Sequence, residues 1–465
     1  MSPQQSEGAA RPVAEPVGAV ISVLRNDAEK ALADLFANSR ALFVGSAEIA
    51  QRREAAFARF SRLGLPNRRV ESWHYTDLRG AFKSALPLAA MPDAQARASV
   101  RARIEALRAA DTQAVTRLVV LDGVFEVELS SSHLPEGLRV TPTCNALIAG
   151  DACAARAFAA GDLGQGDAAV ALNEAFATGG VIIEVAAGAM IDHPVEIVFL
   201  SSGRAAHAIY SRSALLVGDG GVVRFFERRL THGQQPIQRN ETLFVDLGQK
   251  SIVRHVAVAE HEAKSAVDVA TTLVCMAADA EFTSTSLQFG AGLRRRQIFA
   301  RMDGPHARCS LRGVGLLRGD EHSDTTIVME HVAPGCESRE TFNHIVDNDA
   351  TGIFQGKVTV AAQAQKTDGK MKSRAILLAE GAAMYNKPEL EIFADDVTCG
   401  HGATCGSLDD NQLFYVQSRG IPKAEAEALL LEGFAGEVLD EIGNEQTRDA
   451  LMDEVRAWLA QRGQK

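Results

Sequence analysis

Cysteine is scarce and its spacing is uninformative for pairing. Seven residues, at 144, 153, 275, 309, 336, 399 and 405, lie scattered through 465 positions, an odd number without one C-x-x-C. A secreted disulfide framework is therefore excluded, and the thiols read as reduced, as in a cytosol. Nowhere do eighteen apolar residues run together, and Met1 to Val20 carries Pro, Gln, Ser and Glu without a basic n-region or an apolar h-region. That excludes a helical membrane span and a signal peptide, so the expected protein is soluble and cytoplasmic. Positive charge is in deficit, 48 Lys and Arg against 59 Asp and Glu for a net charge of −11. Wholesale binding to nucleic acid or anionic lipid needs the opposite balance, and the run Arg294-Arg295-Arg296 is too short to reverse it.

Catalytic signatures are missing as well. No G-x-x-x-x-G-K-[ST] occurs, since Gly356-Lys357 and Gly369-Lys370 lack both the following hydroxyl and the upstream loop that cradles phosphates. Gly218-Asp219-Gly220-Gly221 lacks the third glycine of a dinucleotide fingerprint and leads into strand-like Val222-Val223-Arg224-Phe225-Phe226, so it reads as a turn. H-E-x-x-H and G-x-S-x-G are absent too.

What is present falls into three regions behind a disordered tip over 1–20. Residues 21–116 are rich in Ala, Leu, Arg and Glu, and Ala31, Leu32, Leu35 and Phe36 recur at helical spacing, which predicts a mostly helical unit. Leu63-Gly64-Leu65-Pro66 breaks it ahead of the aromatic segment Glu71-Ser72-Trp73-His74-Tyr75-Thr76. From 117 to 415, short runs of Val, Ile, Phe and Thr punctuated by Gly predict strands, among them Arg117–Leu121, Val181–Val185, Pro194–Leu200, Val222–Phe226 and Thr242–Val245. They recur every ten to fifteen residues without helical windows between them. A single sandwich is too small for such a length, whereas a β-helix grows by adding coils. From 416 to 465 the pattern is helical again: Leu430, Leu431, Phe434, Val438, Leu439 and Ile442 form one stripe, and Leu451, Val455, Trp458 and Leu459 another. Packing on the chain's own sheet and docking of a partner both satisfy these stripes.

Chemistry concentrates in Thr398 to Gly406. In an extended segment, period-two geometry puts Cys399 and His401 on one face, and a thiolate beside a neutral imidazole suits Zn(II), Fe(II) or an iron-sulfur species. Two donors leave the coordination incomplete, so further ligands have to come from elsewhere in the chain or from another subunit. The same pair also reads as a packed thiol beside a surface histidine. The remaining histidines read as structural. Lys366-Thr367-Asp368-Gly369-Lys370 reads as a polar turn with its glycine in the left-handed region.

Taken in order, Glu71 to Thr76, Gln363 to Asp368, Lys387-Pro388-Glu389-Leu390-Glu391-Ile392, Ala394 to Val397, Cys399 to Thr404 and Asp410 to Tyr415 closely resemble the SufB/SufD family of the SUF iron-sulfur cluster assembly system. His401-Gly402-Ala403-Thr404 favours its SufD branch, because the SufB branch usually reads Glu-His-Glu-Ala-Thr there. The resemblance implies a right-handed parallel β-helix core flanked by N-terminal and C-terminal helical regions. It further implies a non-catalytic scaffold that pairs with a SufB-like paralogue, or with itself in isolation, and binds a SufC-like ATPase at the C-terminal helices, with Leu430, Phe434 and Val438 as contacts. A nascent iron-sulfur cluster or iron, transient and shared with SufB, would form where His401 and Cys399 meet the partner, and the chain itself would bind no nucleotide. No role carries over to Cys405. The alternative in another class is a stand-alone metal-dependent enzyme on a β-helix, which requires several convergent acids or histidines in this one chain.

Overall fold

The computed structural model describes residues 26–160 and 163–462; the tip expected over 1–20 lies outside them. Helices Asp27–Asn38, Ala47–Leu63 and Ala94–Ala110 build the N-terminal unit. Each begins at a residue whose side chain accepts from the first free backbone amides, namely Asn26, Ser46 and Asp93, and Asn26 with Glu29 forms a reciprocal capping box. The break at Gly64 occurs at φ +70, where a side chain is strained.

From Val181 to Gly406 successive strands alternate between two sheets, so that each strand pairs in parallel with the one a full coil away. Glu337–Val346, for example, lies between Arg308–Leu317 and Asp368–Leu377. The result is the expected parallel β-helix. Alternate residues point inward, which explains why its strands mix apolar and polar positions and yet bury both: Val253, Phe282, Cys309 and Phe342 stand in one core. Gly220, at φ +67, confirms the turn read at Gly218 to Gly221. At 366–370 the left-handed residue is Lys366, at φ +64, while Gly369 lies within a strand. The lysine reaches Asp396 from that turn.

The region read as strands alone departs from that expectation. Helices Thr143–Ala149, Ala152–Ala159 and Ala168–Phe176 interrupt the region read as strands alone, and Asp410–Gln417 is a helix rather than the last part of the β core. Short, alanine-rich windows carry too few periodic positions to stand out from buried strand. All three residues of the run Arg294-Arg295-Arg296 are buried. Arg294 pairs with Asp268 at 3.0 Å and Arg295 with Asp324 at 2.5 Å, while Arg296 donates to Ser284 at 3.2 Å. Charges inside a strand core persist only with such partners.

The aromatic segment at 71–76 clamps the N-terminal unit to the solenoid. Trp73 is 1% exposed; its Nε1 donates to Asp167 at 2.8 Å, and the Arg295 guanidinium lies 3.9 Å from its ring centroid. Arg295 also donates to the Ser72 carbonyl, and Thr76 donates to Asp324. One buried arginine thus holds an indole, a backbone carbonyl and a carboxylate.

Helices Lys423–Leu439 and Glu445–Ala460 pack on the outer face of the sheet that contains Arg308–Leu317 and Glu337–Val346, where Leu431, Val438, Val455 and Trp458 meet Val256, Val314 and Leu316. Their apolar stripes therefore serve the chain's own core. Among the described residues no helix is long and apolar enough to cross a membrane.

Candidate functional site

The solenoid ends on strands Ala383–Ile392 and Thr398–Gly406, which lie at the edges of their sheets. Thr398–Gly406 pairs only with Asp368–Leu377, in a register that sets Cys399 on Gly369 and His401 on Met371. Gly369 and Met371 are buried inward positions, so Cys399 and His401 share the inward face as their spacing requires. They differ in cover. Cys399 is half-buried and, like Met384, Leu390 and Val397, packs against the end of the core, and burial raises its thiol above the ordinary value. His401 is exposed.

Among the described residues no further coil covers this layer. Gly400, Gly402 and Gly406 alternate with the donors, and a Cβ added at any of them would meet nothing within 4 Å. Tyr385, Phe393, Phe414 and Tyr415 are 46%, 66%, 73% and 60% exposed around the same end, and helix Asp410–Gln417 buries none of its residues. An edge strand with free backbone groups, a pair of soft donors and an apolar rim are together the makings of an interface. Cys405, opposite Ala375, falls on the donor face but is exposed. Among the described residues no group of three or more His, Cys, Asp or Glu could hold a metal ion, so Cys399 and His401 do not form a complete ligand set there.

Beneath them is a polar interior that motif reading missed. Ser338 and Glu340 occupy the inward positions one strand below Gly369 and Met371. With no side chain at Gly369, the site its Cβ would occupy lies 3.5 Å from both Cys399 Sγ and Ser338 Oγ. Ser338 Oγ is 3.1 Å from His331 Nε2. Glu340 is 1% exposed, and neither of its carboxylate oxygens has a hydrogen-bond partner. Burial pushes its carboxyl up to about 8 and His331 down to about 4, so both are neutral near pH 7. The alternation Ser338, Glu340, Phe342, His344 was the signal: a period of two with a phenylalanine in the series marks its neighbours as inward.

The second group of expected contacts divides by burial. Val438 is fully covered by the chain itself. Phe434 is half-buried with the Arg374 guanidinium 5.1 Å from its ring centroid, and Leu430 is half-buried. Leu429, which the stripe omitted, is 46% exposed.

The model of the SUF system FeS cluster assembly SufBD core domain matches residues 199–434, and that of the SufBD protein N-terminal region matches residues 26–197. The chain belongs to the SufBD family. Within it, the iron-sulfur cluster assembly protein SufD of Escherichia coli is 27% identical over 405 residues, 86% of this chain and 90% of that protein. A SufBD family protein of Synechocystis is 27% identical over 426 residues, 85% of this chain and 87% of that one. SufD of Bacillus subtilis is 24% identical over 290 residues, 61% and 65% of the two chains. The likeness to SufD drawn from the ordered motifs is borne out, and with it a place for this SufBD chain in SUF iron-sulfur cluster assembly.

Proposed function

We propose that the chain is the SufD-type scaffold of a SUF assembly complex, itself non-catalytic, in which the open end of the β-helix pairs with a SufB-like subunit and a nascent iron-sulfur cluster forms between them. The observation that carries this reading is the uncapped last coil: Cys399 and His401 stand on its inward face at an unpaired sheet edge, beside exposed Tyr385 and Phe393. A partner strand added there would satisfy the free backbone groups and bring the missing donors next to the two present. Iron and sulfide are cargo in this scheme. His401 offers a borderline nitrogen ligand from an accessible position, and Cys399 a soft sulfur from a sheltered one.

The energy comes from a partner. The sequence holds no phosphate-binding loop, so ATP hydrolysis falls to a SufC-like subunit docked on the C-terminal helices, with Leu430 and Phe434 at the contact and Val438 supporting it from within. Nucleotide binding there would strain or open the SufB–SufD interface only if it favours one arrangement of the subunits over another. The test is reconstitution of the three-subunit complex without oxygen, comparing cluster yield for the parent, His401→Ala and Cys399→Ser. Yields unchanged in fully assembled complexes would return both residues to plain structural roles. The stand-alone enzyme has less support, since its donors would have to converge within this chain.

A further inference from the structure

Two guanidinium groups are buried between the N-terminal unit and the solenoid without a carboxylate of their own. Arg53, on helix Ala47–Leu63, is 2% exposed; Arg212, on strand His207–Val217, is 3% exposed. Their ring and hydrogen-bonding partners are uncharged. The Arg53 guanidinium lies 4.6 Å from the Phe158 ring centroid and 5.0 Å from that of Phe43, and Arg212 lies 5.5 Å from the Phe158 centroid. Arg212 donates to the Ala157 carbonyl and to Asn173 Oδ1, both at 3.3 Å. The carboxylate whose charge reaches both arginines is Glu174, and Arg59 already holds it.

Arg53 has a specific vacancy in its bonding. Its Nη1 donates to the Ala175 carbonyl at 3.2 Å, in the last turn of helix Ala168–Phe176, while Nε and Nη2 are buried with no partner. Those two nitrogens form one edge of the guanidinium, the edge whose parallel N–H groups match two oxygens of a carboxylate, sulfate or phosphate. Arg59 Nε, on the same helix, is likewise buried and unpartnered. Burial depresses both arginines to about 10, with repulsion from Arg212 adding to it at Arg53 and repulsion from Arg59 and Arg52 adding to it at Arg212, yet both stay charged at pH 7. A helix C-terminus and a ring face offset only part of a charge left out of water.

We propose that the Nε and Nη2 edge of Arg53 is a binding site for a small oxyanion, which neutralises the Arg53–Arg212 pair and fastens helix Ala47–Leu63 to the solenoid. The site is separate from the cluster-assembly end and does not depend on that reading. A two-oxygen anion is expected over a halide because the free donors form a fork rather than a point.

The experiment is thermal unfolding of the full chain at constant ionic strength in sodium chloride, sodium formate and sodium sulfate, for the parent, Arg53→Met and Arg53→Lys. The methionine keeps the stem and removes the charge; the lysine keeps the charge and removes the fork. The parent should gain at least about 2 °C more than Arg53→Met on exchanging chloride for formate or sulfate, as ligand linkage to the folded state requires. Arg53→Lys, which remains charged, should lose the preference for oxyanions over chloride. Equal gains in parent and lysine variant would reduce the effect to general salt stabilisation and overturn the proposal. A parent response to chloride as large as to formate would overturn the fork, and no response to any anion would show that the chain fills the edge itself. Should Arg53→Met not fold, the comparison with Arg53→Lys decides alone.

Discussion

Replacing Glu340 by Gln should change the pH dependence of stability in a defined direction. In the folded protein burial raises the carboxyl from 4.5 to about 8, whereas in the unfolded chain it titrates near its ordinary value. Between those limits the folded state holds a proton that the unfolded state has lost. Stability therefore falls as pH rises from about 4.5 to about 8 and is flat beyond. At about 1.4 kcal/mol per pH unit the full span is worth roughly 5 kcal/mol, and water entry or relaxation around Glu340 would reduce it to about 2. Gln fills the same space and cannot titrate. The assay is denaturant unfolding of parent and variant side by side at pH 5.0, 6.5 and 8.0, where every other titration is common to both. The variant should gain on the parent at each step, by about 2–4 kcal/mol from the first pH to the last. A difference that stays constant across the three would mean that Glu340 is ionised when folded, with a partner or solvent that the buried, unpaired geometry excludes.

Trp73→Ala should cost about 3–5 kcal/mol, because it removes a fully buried indole together with its bond to Asp167 and its contact with Arg295. Limited proteolysis should then cut between the helical unit and the solenoid, and a parent-like pattern would show that the clamp is dispensable. At the C-terminus, Val438→Ala should lower stability by about 1–3 kcal/mol, whereas Leu429→Glu should leave stability within about 0.5 kcal/mol and weaken binding of the ATPase subunit. Titration of that subunit against each folded variant separates the two, and unchanged affinity for Leu429→Glu would move the docking face elsewhere.

The β-helix was legible in the sequence because strand runs such as Val181–Val185 and Val222–Phe226 recur without helical spacers over a length that a single sandwich does not fill, and because the ordered motifs resemble the SufB/SufD family. The helices at 143–176 were not, since a seven-residue window such as Thr143–Ala149 has no room to display a period. Buried charge was the other blind spot. Arg294 and Arg295 look solvated on paper, and only the coil-to-coil register brings Asp268 and Asp324 against them. At the solenoid end, Cys399 and His401 announced themselves by residue type and spacing, but the interior beneath them did not. Ser338 and His331 lie seven residues apart on different sheets, and what separates Ser338 from Cys399 is Gly369, whose importance is the side chain it lacks. Leu429 fell outside the stripe for a simpler reason: an apolar stripe identifies the face a helix buries, and Leu429 is on the face it leaves open.

The central claim is that the open end of the solenoid is where a cluster is built, with His401 the exposed member of the Cys399–His401 pair. The direct measurement is the iron and acid-labile sulfide content, with the visible absorption spectrum, of an anaerobically reconstituted complex carrying His401→Ala, checked for subunit stoichiometry and thermal stability against the parent. With the ring exposed and no fold contact depending on it, the complex should assemble with parent-like stability while its cluster content falls by about tenfold or more. A stoichiometric His401→Ala complex with parent-level iron, sulfide and spectrum would contradict the account.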